Sequence, residues 1–276
     1  MAPEAVETNA EPKPTSGMLT PSQADGEWTP EAALAELPEV PQTSSPSPVP
    51  FFHILERLKT TKREGWRRFG ITHGESISDH MYRMSIITLL CPPSLASRID
   101  ISKCTTMALV HDMAESLVGD ITPVDGVTKS EKSRREATTM DYLTKTLLGN
   151  VHNGAAGRNI RAIWQEYEDS ETLESKFVHD VDKMELLLQM IEYERVHDVR
   201  IEFSRVADRI VLPEVQEWAS EVLKERADFW AKKGMKPDPE KDTSEELKRM
   251  QDEYYGKKAE NGNGAVAAAT LEAQGH

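Results

Sequence analysis

Cysteine is scarce in this chain of 276 residues, which contains only Cys91 and Cys104. Two cysteines cannot form the disulfide framework of a small secreted domain, so we expect both thiols to stay reduced. This predicts a cytoplasmic location, with the nucleus as an additional compartment. Long apolar runs are also missing. No stretch approaches the roughly 20 apolar residues of a membrane span, and we expect no membrane partner.

Basic residues are outnumbered, because 33 Lys and Arg stand against 47 Asp and Glu and give a formal net charge of −14. A general nucleic-acid binder needs clustered cations to replace the counterions of a phosphate backbone, so we expect no nucleic-acid partner. A small anionic substrate stays compatible with this charge if cations or a metal ion are concentrated locally.

Both ends of the chain have unusual compositions. The first 50 residues contain 10 of the 16 prolines, eight acidic residues and a single aromatic residue, Trp28. Such a segment cannot bury enough apolar surface to offset its chain entropy, which predicts disorder over residues 1–50. The Ala- and Gly-rich segment 257–276 predicts a flexible C-terminal tail. One folded domain is therefore expected over residues 51–256.

The spacing of apolar residues between the tails is helical nearly throughout. In the segment 173–198 they recur at steps of four and three, which predicts one long amphipathic helix. Ser78 and Ser102 are the predicted N-caps of two earlier helices. Alternating runs of Val, Ile and Thr are almost absent, so the expected fold class is an all-α bundle.

Polar side chains with ligand chemistry are concentrated in the stretch HDMAESLVGD, residues 111–120. On a helix, His111 and Glu115 share one face and Asp112 lies on the neighbouring ridge. Asp120 follows in the next turn. From these residues alone, a hydrogen-bonded core pair and a metal site both stay open. The dipeptide His-Asp recurs at 179–180 and 197–198, where a solvated helix face is the simpler interpretation.

A second histidine, His80, opens a preceding helix and favours the metal site. Two histidines with carboxylates form a nitrogen and oxygen ligand set that suits Mn²⁺, Fe²⁺, Co²⁺ or Zn²⁺. A fourth ligand has several acidic candidates, among them Asp182. The basic segment KSEKSRRE, which includes Lys129, Lys132, Arg134 and Arg135, either attracts an anionic substrate or is an ordinary solvated helix start.

These motifs together resemble those of the HD-domain metal-dependent phosphohydrolases, and in particular their 5′-deoxynucleotidase group. The resemblance is carried by LKTTKREGWRRF, ESISDHMYRMS, ALVHDMAESLVGDITP, KSEKSRRE and FVHDVDKMELLLQMIEYE. It implies an HD-domain helical bundle that hydrolyses deoxyribonucleoside 5′-monophosphates with a divalent cation, either Mn²⁺, Co²⁺, Mg²⁺ or Zn²⁺. It also implies a homodimer, for which we expect apolar faces on the C-terminal helices.

The resemblance further implies roles for individual residues. The first ion would be held by His80, His111, Asp112 and Asp182. Glu115 matches the family's catalytic glutamate, and Asp120 matches a residue that contacts substrate or metal. Glu115, Asp120 and the Ile121 carbonyl would hold a possible second ion. The Arg-Trp pair that contacts the nucleotide in bacterial members is split here, so Trp66 is expected at the substrate and the choice between Arg63 and Arg67 stays open.

Two alternatives compete with a 5′-deoxynucleotidase. One is another HD-domain phosphohydrolase, acting on a cyclic nucleotide or a guanosine polyphosphate alarmone. The other is a non-catalytic, metal-stabilised interaction module, although such a module has no physical need for Glu115 beside the ligands.

Overall fold

A computed structural model describes residues 28–123, 125–201, 203–235 and 249. Within these residues the fold is all-α, as predicted, and the β-structure is limited to one bridge between Lys62 and Ser76. Among the same residues, no helix combines the length and the apolarity needed to cross a membrane. The predicted flexible tail, residues 257–276, lies outside the described residues.

The described residues form α-helices joined by turns and loops of varied length. The helices are α1 (Pro30–Ala35), α2 (Val49–Thr60), α3 (Glu64–Arg67), α4 (Ile77–Leu89), α5 (Pro93–Ala96), α6 (Ile101–Val110), α7 (Glu115–Val118), α8 (Lys129–Asp141), α9 (Ala155–Asp169), α10 (Leu173–His197) and α11 (Pro213–Lys232). A π-helical turn, Tyr142–Leu147, continues α8, and 3₁₀ turns span Val151–Gly154 and Ser204–Arg209.

Two apolar clusters make up the core. The first joins α4, α6, α10 and α11 around side chains such as Phe177 and Leu187. The second joins α1, α2, α7, the π-helical turn and α9 around Leu117 and Trp164. Helices α4, α6 and α10 pack directly on one another, so polar residues on their facing sides are brought together inside the protein.

The long helix α10 is confirmed, but the N-caps of α4 and α6 differ from those predicted. Ser76, not Ser78, caps α4 by accepting a hydrogen bond from the Asp79 backbone N–H, and the Asp79 side chain accepts one from the Ser76 backbone N–H. This reciprocal capping box satisfies two free donors of the helix start. Asp100, not Ser102, caps α6 because its carboxylate accepts from the backbone N–H of Lys103.

The N-terminal boundary also differs from the prediction of disorder up to residue 50. Helix α1 buries Ala33 and Leu34 in the second cluster, and Arg134 donates to the Trp28 carbonyl at 2.9 Å. Thr29 caps this helix and proline occupies its first position, where it costs no hydrogen bond. Residues 28–50 thus belong to the folded domain, and residues 1–27 lie outside the described part.

Candidate metal and phosphate site

His80 lies in the first turn of α4 and is fully buried between α6 and α10. Its Nδ1 atom is 2.6 Å from Oε2 of Glu185, which can only accept, so Nδ1 carries the proton. Its Nε2 atom has no hydrogen bond of good geometry, although a carboxylate oxygen of Asp182 lies 3.2 Å away. Nε2, the ring nitrogen that Glu185 does not engage, therefore faces the carboxylates of Asp112 and Asp182.

His111 stands where α6 ends, and the chain turns there instead of continuing as one helix. The turn 111–114 is tightened by hydrogen bonds three residues apart, such as that from the Glu115 N–H to the Asp112 carbonyl. His111 is held by Trp164, whose indole N–H donates to its carbonyl at 3.0 Å. Its Nδ1 donates to the Ala108 carbonyl, and its buried Nε2 has no hydrogen-bond partner.

The two Nε2 atoms both approach the carboxylate of Asp112. Asp112 Oδ2 lies 3.2 Å from Nε2 of His111 and 3.9 Å from Nε2 of His80. One ligand atom from each of these three residues lies within 4.8 Å of the others, and Asp182 reaches His80 from α10. Buried, unpartnered imidazole nitrogens beside carboxylates fit a divalent cation, and this chain's residues thus satisfy the expected ligand chemistry.

The ionisation of these groups reflects their mutual contacts. Burial and the Arg63 charge lower the pKa of His80, but Glu185 and Asp182 outweigh them and raise it to about 10. Burial alone would raise the pKa values of Asp112 and Asp182, but contacts with His80, His111 and Arg63 hold both below their usual range.

Arg63, and not Arg67, reaches this cluster. Its NH1 atom lies 3.1 Å from Oδ2 of Asp112, whereas Arg67 pairs with Glu64 at the surface. The start of α3 is fixed by Asp120, whose Oδ2 accepts from the Glu64 backbone N–H at 2.6 Å. Asp120 is therefore close to the site, where it positions the Arg63 segment.

Glu115 and Lys132 line the other side of the cluster. Glu115 is buried, and its Oε2 atom has no hydrogen-bond partner. Burial, followed by the charges of Asp112 and Asp120, raises the pKa of Glu115 well above its usual range. The Lys132 ammonium lies 3.8 Å from Oε1 of Glu115 and donates to the Ile121 carbonyl at 3.2 Å. It thus contacts two of the three groups expected to hold a second ion.

Two expectations do not fit the structure. Trp66 is only 1% exposed, packs edge-on against Tyr193 and Phe203 and donates to Glu75, so it cannot stack on a nucleotide base in this conformation. The pair 179–180 is not on a solvated face. His179 stacks on Tyr167, and the buried Asp180 accepts the backbone N–H groups of 211 and 212.

Sequence reasoning missed Glu185 and its partner Arg83. Glu185 follows Asp182 by three residues and so faces nearly the same side of α10. That spacing was a usable signal. Nothing in the sequence, however, indicates that Glu185 meets His80 of α4, because this contact depends on how the two helices pack.

Several known proteins are similar to this chain. Residues 55–222 match the family model described as "HD domain". The chain belongs to the HD-domain family. The 5′-deoxynucleotidase hdd1 of Schizosaccharomyces pombe is 46% identical over 187 residues, which cover 66% of this chain and 92% of the relative. The 5′-deoxynucleotidase HDDC2 of Homo sapiens is 35% identical over 184 residues, which cover 64% of this chain and 85% of the relative. The solved structure of the HD domain-containing protein YGK1 has a TM-score of 0.52 and 32% identity, and covers 73% of this chain and 98% of that one.

Proposed function

We propose that this protein is a metal-dependent 5′-deoxynucleotidase that hydrolyses deoxyribonucleoside 5′-monophosphates to deoxynucleoside and phosphate. The observation that carries the proposal is the pair of buried, unpartnered Nε2 atoms of His80 and His111 beside Asp112 and Asp182. The relatives named 5′-deoxynucleotidase, which this chain matches over most of their length, support the same substrate class.

We assign the ligand role to His80, His111, Asp112 and Asp182. A divalent cation held there would offset the charge of a phosphate and lower the pKa of a nearby water. Mn²⁺, Co²⁺, Mg²⁺ and Zn²⁺ are the candidates, and the mixed nitrogen and oxygen donors favour the transition metals among them.

The surrounding side chains supply the remaining chemistry. Arg63 binds a phosphate oxygen. Its guanidinium lies next to Asp112, which is a proposed ligand of the cation that would hold the phosphate. As water attacks phosphorus and the bond to the sugar 5′-oxygen breaks, Glu115 passes its proton to that leaving oxygen, and the proton released by the attacking water returns to the Glu115 carboxylate. The raised pKa of Glu115 favours its protonated form, which a general acid requires. Asp120 fixes the backbone that carries Arg63.

A second cation near Glu115, Asp120 and the Ile121 carbonyl would have to displace the Lys132 ammonium. We propose that Lys132 supplies positive charge at this position when no second ion is bound.

The experiment that tests the reaction is phosphate release by metal-stripped protein after addition of each cation. The panel contains deoxyribo- and ribonucleoside monophosphates, a cyclic nucleotide and a guanosine polyphosphate. Release from the deoxyribonucleoside monophosphates alone, or most rapidly from them, is expected. Release only from the cyclic or polyphosphate substrates would instead identify another HD-domain hydrolase, and no release from any would favour the interaction module.

We also propose a homodimer formed through α4. Its exposed side includes Tyr82, Ile86, Leu89 and the following Leu90, of which Leu90 is 70% exposed. The C-terminal helix α11 instead buries Trp230 and partly buries Trp218 against the core. Light scattering after gel filtration should give twice the chain mass, and Ile86→Lys should halve it. An unchanged mass in the variant would place the interface elsewhere.

We further propose a cytoplasmic location, with the nucleus as an additional compartment. Cys91 and Cys104 are both free thiols, and Cys104 is buried. A fluorescent fusion of the full chain would test this location.

A further inference from the structure

His80 and Glu185 form a short hydrogen bond inside the protein. Both side chains are buried, with relative exposures of 0% and 1%, and the Nδ1 to Oε2 distance is 2.6 Å. Since a carboxylate accepts and does not donate, the hydrogen bond places the imidazole proton on Nδ1. Nε2, the atom that faces Asp112 and Asp182, is then the ring nitrogen that can bind a cation.

Glu185 is itself held rigidly by one arginine of α4. The Nε and NH2 atoms of Arg83 lie 2.8 and 2.6 Å from Oε1 of Glu185. The same guanidinium donates to Gln189 at 2.8 Å and to Glu192 at 2.6 Å. Positions 185, 189 and 192 are four and three residues apart, so they form one face of α10 directed at Arg83.

The second histidine is oriented differently. The Nδ1 of His111 donates to the neutral carbonyl of Ala108, within its own helical turn. A carboxylate partner stabilises a positively polarised imidazole more strongly than a carbonyl does. It therefore raises the basicity of the other ring nitrogen as a metal ligand. The partner of His80 therefore increases the metal-binding strength of Nε2 more than the partner of His111 does.

We propose that Glu185, clamped by Arg83, is a positioning residue that holds His80 as an Nε2 ligand and sets the affinity of the site for its divalent cation. This inference rests on the proposed metal site. Glu185 would not touch the ion. Its two oxygens are engaged by His80 and Arg83, and the nearby Glu75 carboxylate is engaged by the indole N–H of Trp66.

A purely structural role is the competing explanation, and α10 provides a matched comparison. Glu194 is also a fully buried carboxylate paired with an arginine, Arg226, at 2.7 and 2.8 Å. It accepts further hydrogen bonds from Trp230 and from the Ile201 backbone, and no predicted metal ligand is among its partners. Loss of either carboxylate should destabilise the fold, but only loss of Glu185 should weaken metal binding.

The test is calorimetric titration of Mn²⁺ into metal-stripped, full-length wild type, Glu185→Gln and Glu194→Gln, each with its melting temperature. In Glu185→Gln the side chain has one acceptor oxygen and one NH₂ group. If the NH₂ group faces Arg83, the contact with the guanidinium is lost. If it faces His80, it donates to Nδ1 and favours the imidazole proton on Nε2. We expect Mn²⁺ affinity to fall roughly 10- to 100-fold in this variant. Glu194→Gln should melt lower yet bind Mn²⁺ like the wild type.

The outcomes separate the inference from the function on which it rests. Wild-type affinity in folded Glu185→Gln, or an equal loss in Glu194→Gln, would overturn the positioning role. Absence of Mn²⁺ binding by the wild type would instead overturn the proposed metal site. If Glu185→Gln does not fold, Arg83→Gln replaces it. That variant releases one oxygen of Glu185 and should weaken Mn²⁺ binding several-fold, whereas unchanged affinity would again contradict the inference.

Discussion

At the scale of single residues, the site combines groups whose roles depend on what surrounds them. His80 and His111 each have one nitrogen fixed by a hydrogen bond and one left free, so the pair is already arranged for a cation. Glu115 is different, since burial and neighbouring negative charge favour its protonated form. A buried carboxylic acid next to a phosphate site suits proton donation.

Replacement of Glu115 tests that role. We expect Glu115→Gln to lower kcat by roughly 10²- to 10⁴-fold, because the amide cannot deliver a proton to the leaving oxygen. Mn²⁺ binding to the four ligands should change little. The neighbour Ser116 is a matched control, since its buried hydroxyl has no hydrogen-bond partner and Ser116→Ala should retain turnover. Near-normal kcat in Glu115→Gln would remove this residue from the chemistry.

Lys132 gives a second prediction. If its ammonium supplies the charge that a second cation would otherwise provide, Lys132→Met should lower turnover roughly 10²-fold at low metal concentration. Excess Mg²⁺ should then restore part of the activity, because the vacated carboxylate and carbonyl can bind it. Phosphate release measured against Mg²⁺ concentration would show this, and a variant that behaves like the wild type would exclude the role.

Some of these residues could be predicted from the sequence and others could not. His80, His111, Asp112 and Asp182 are recognisable because their order and spacing match a family pattern. Arg63 could not be separated from Arg67, since both lie in one short basic segment and only the turn into α3 decides which of them reaches Asp112.

At the scale of elements, helix ends and helix contacts shape the site. His111 and Glu115 were expected on one helix, but the chain turns at 111–114 and α7 begins at Glu115. No local breaker marks this point in HDMAES, because the turn is stabilised from outside by Trp164 of α9. Sequence periodicity therefore predicted that a helix is present there but not where it ends.

The close approach of α9 to the π-helical turn allows a direct test. A Cβ atom at Gly157 would lie 2.2 Å from the Thr144 carbonyl oxygen, a backbone atom that cannot rotate away. We expect Gly157→Ala to destabilise the protein by about 1–3 kcal/mol, as overpacking does. The exposed Ala156 on the same helix is the control, and Ala156→Ser should be nearly neutral. Urea unfolding of both variants measures the difference, and equal stability would argue against this helix contact.

At the scale of the whole molecule, the all-α class follows from helical periodicity, whereas the extent of the domain does not. The proline-rich composition of the first 50 residues obscured helix α1, whose short apolar face is buried against α7 and α8. Average composition thus hides a six-residue element that is stabilised by tertiary contacts.

The pH dependence of stability is a property of the whole fold that one buried carboxyl should influence. Burial raises the pKa of Glu136 to about 7, above its usual value of about 4.5, so the folded state favours the neutral acid. Its contribution is fully present below about pH 4.5 and is lost as pH rises towards 7. Between pH 5 and pH 8 the wild type should therefore lose roughly 2–3 kcal/mol of unfolding free energy that Glu136→Gln does not lose. A difference between the two proteins that does not vary with pH would contradict the shifted pKa.

The assignment of His80, His111, Asp112 and Asp182 as joint ligands of the catalytic cation underlies the proposed function. Its most direct test is an anomalous difference map from crystals of the full chain grown with Mn²⁺, collected at the manganese absorption edge. We expect a peak in contact with Nε2 of both histidines and with both aspartates. A map without density there, or a peak on the Nδ1 side of His80 between Glu75 and Glu185, would contradict it.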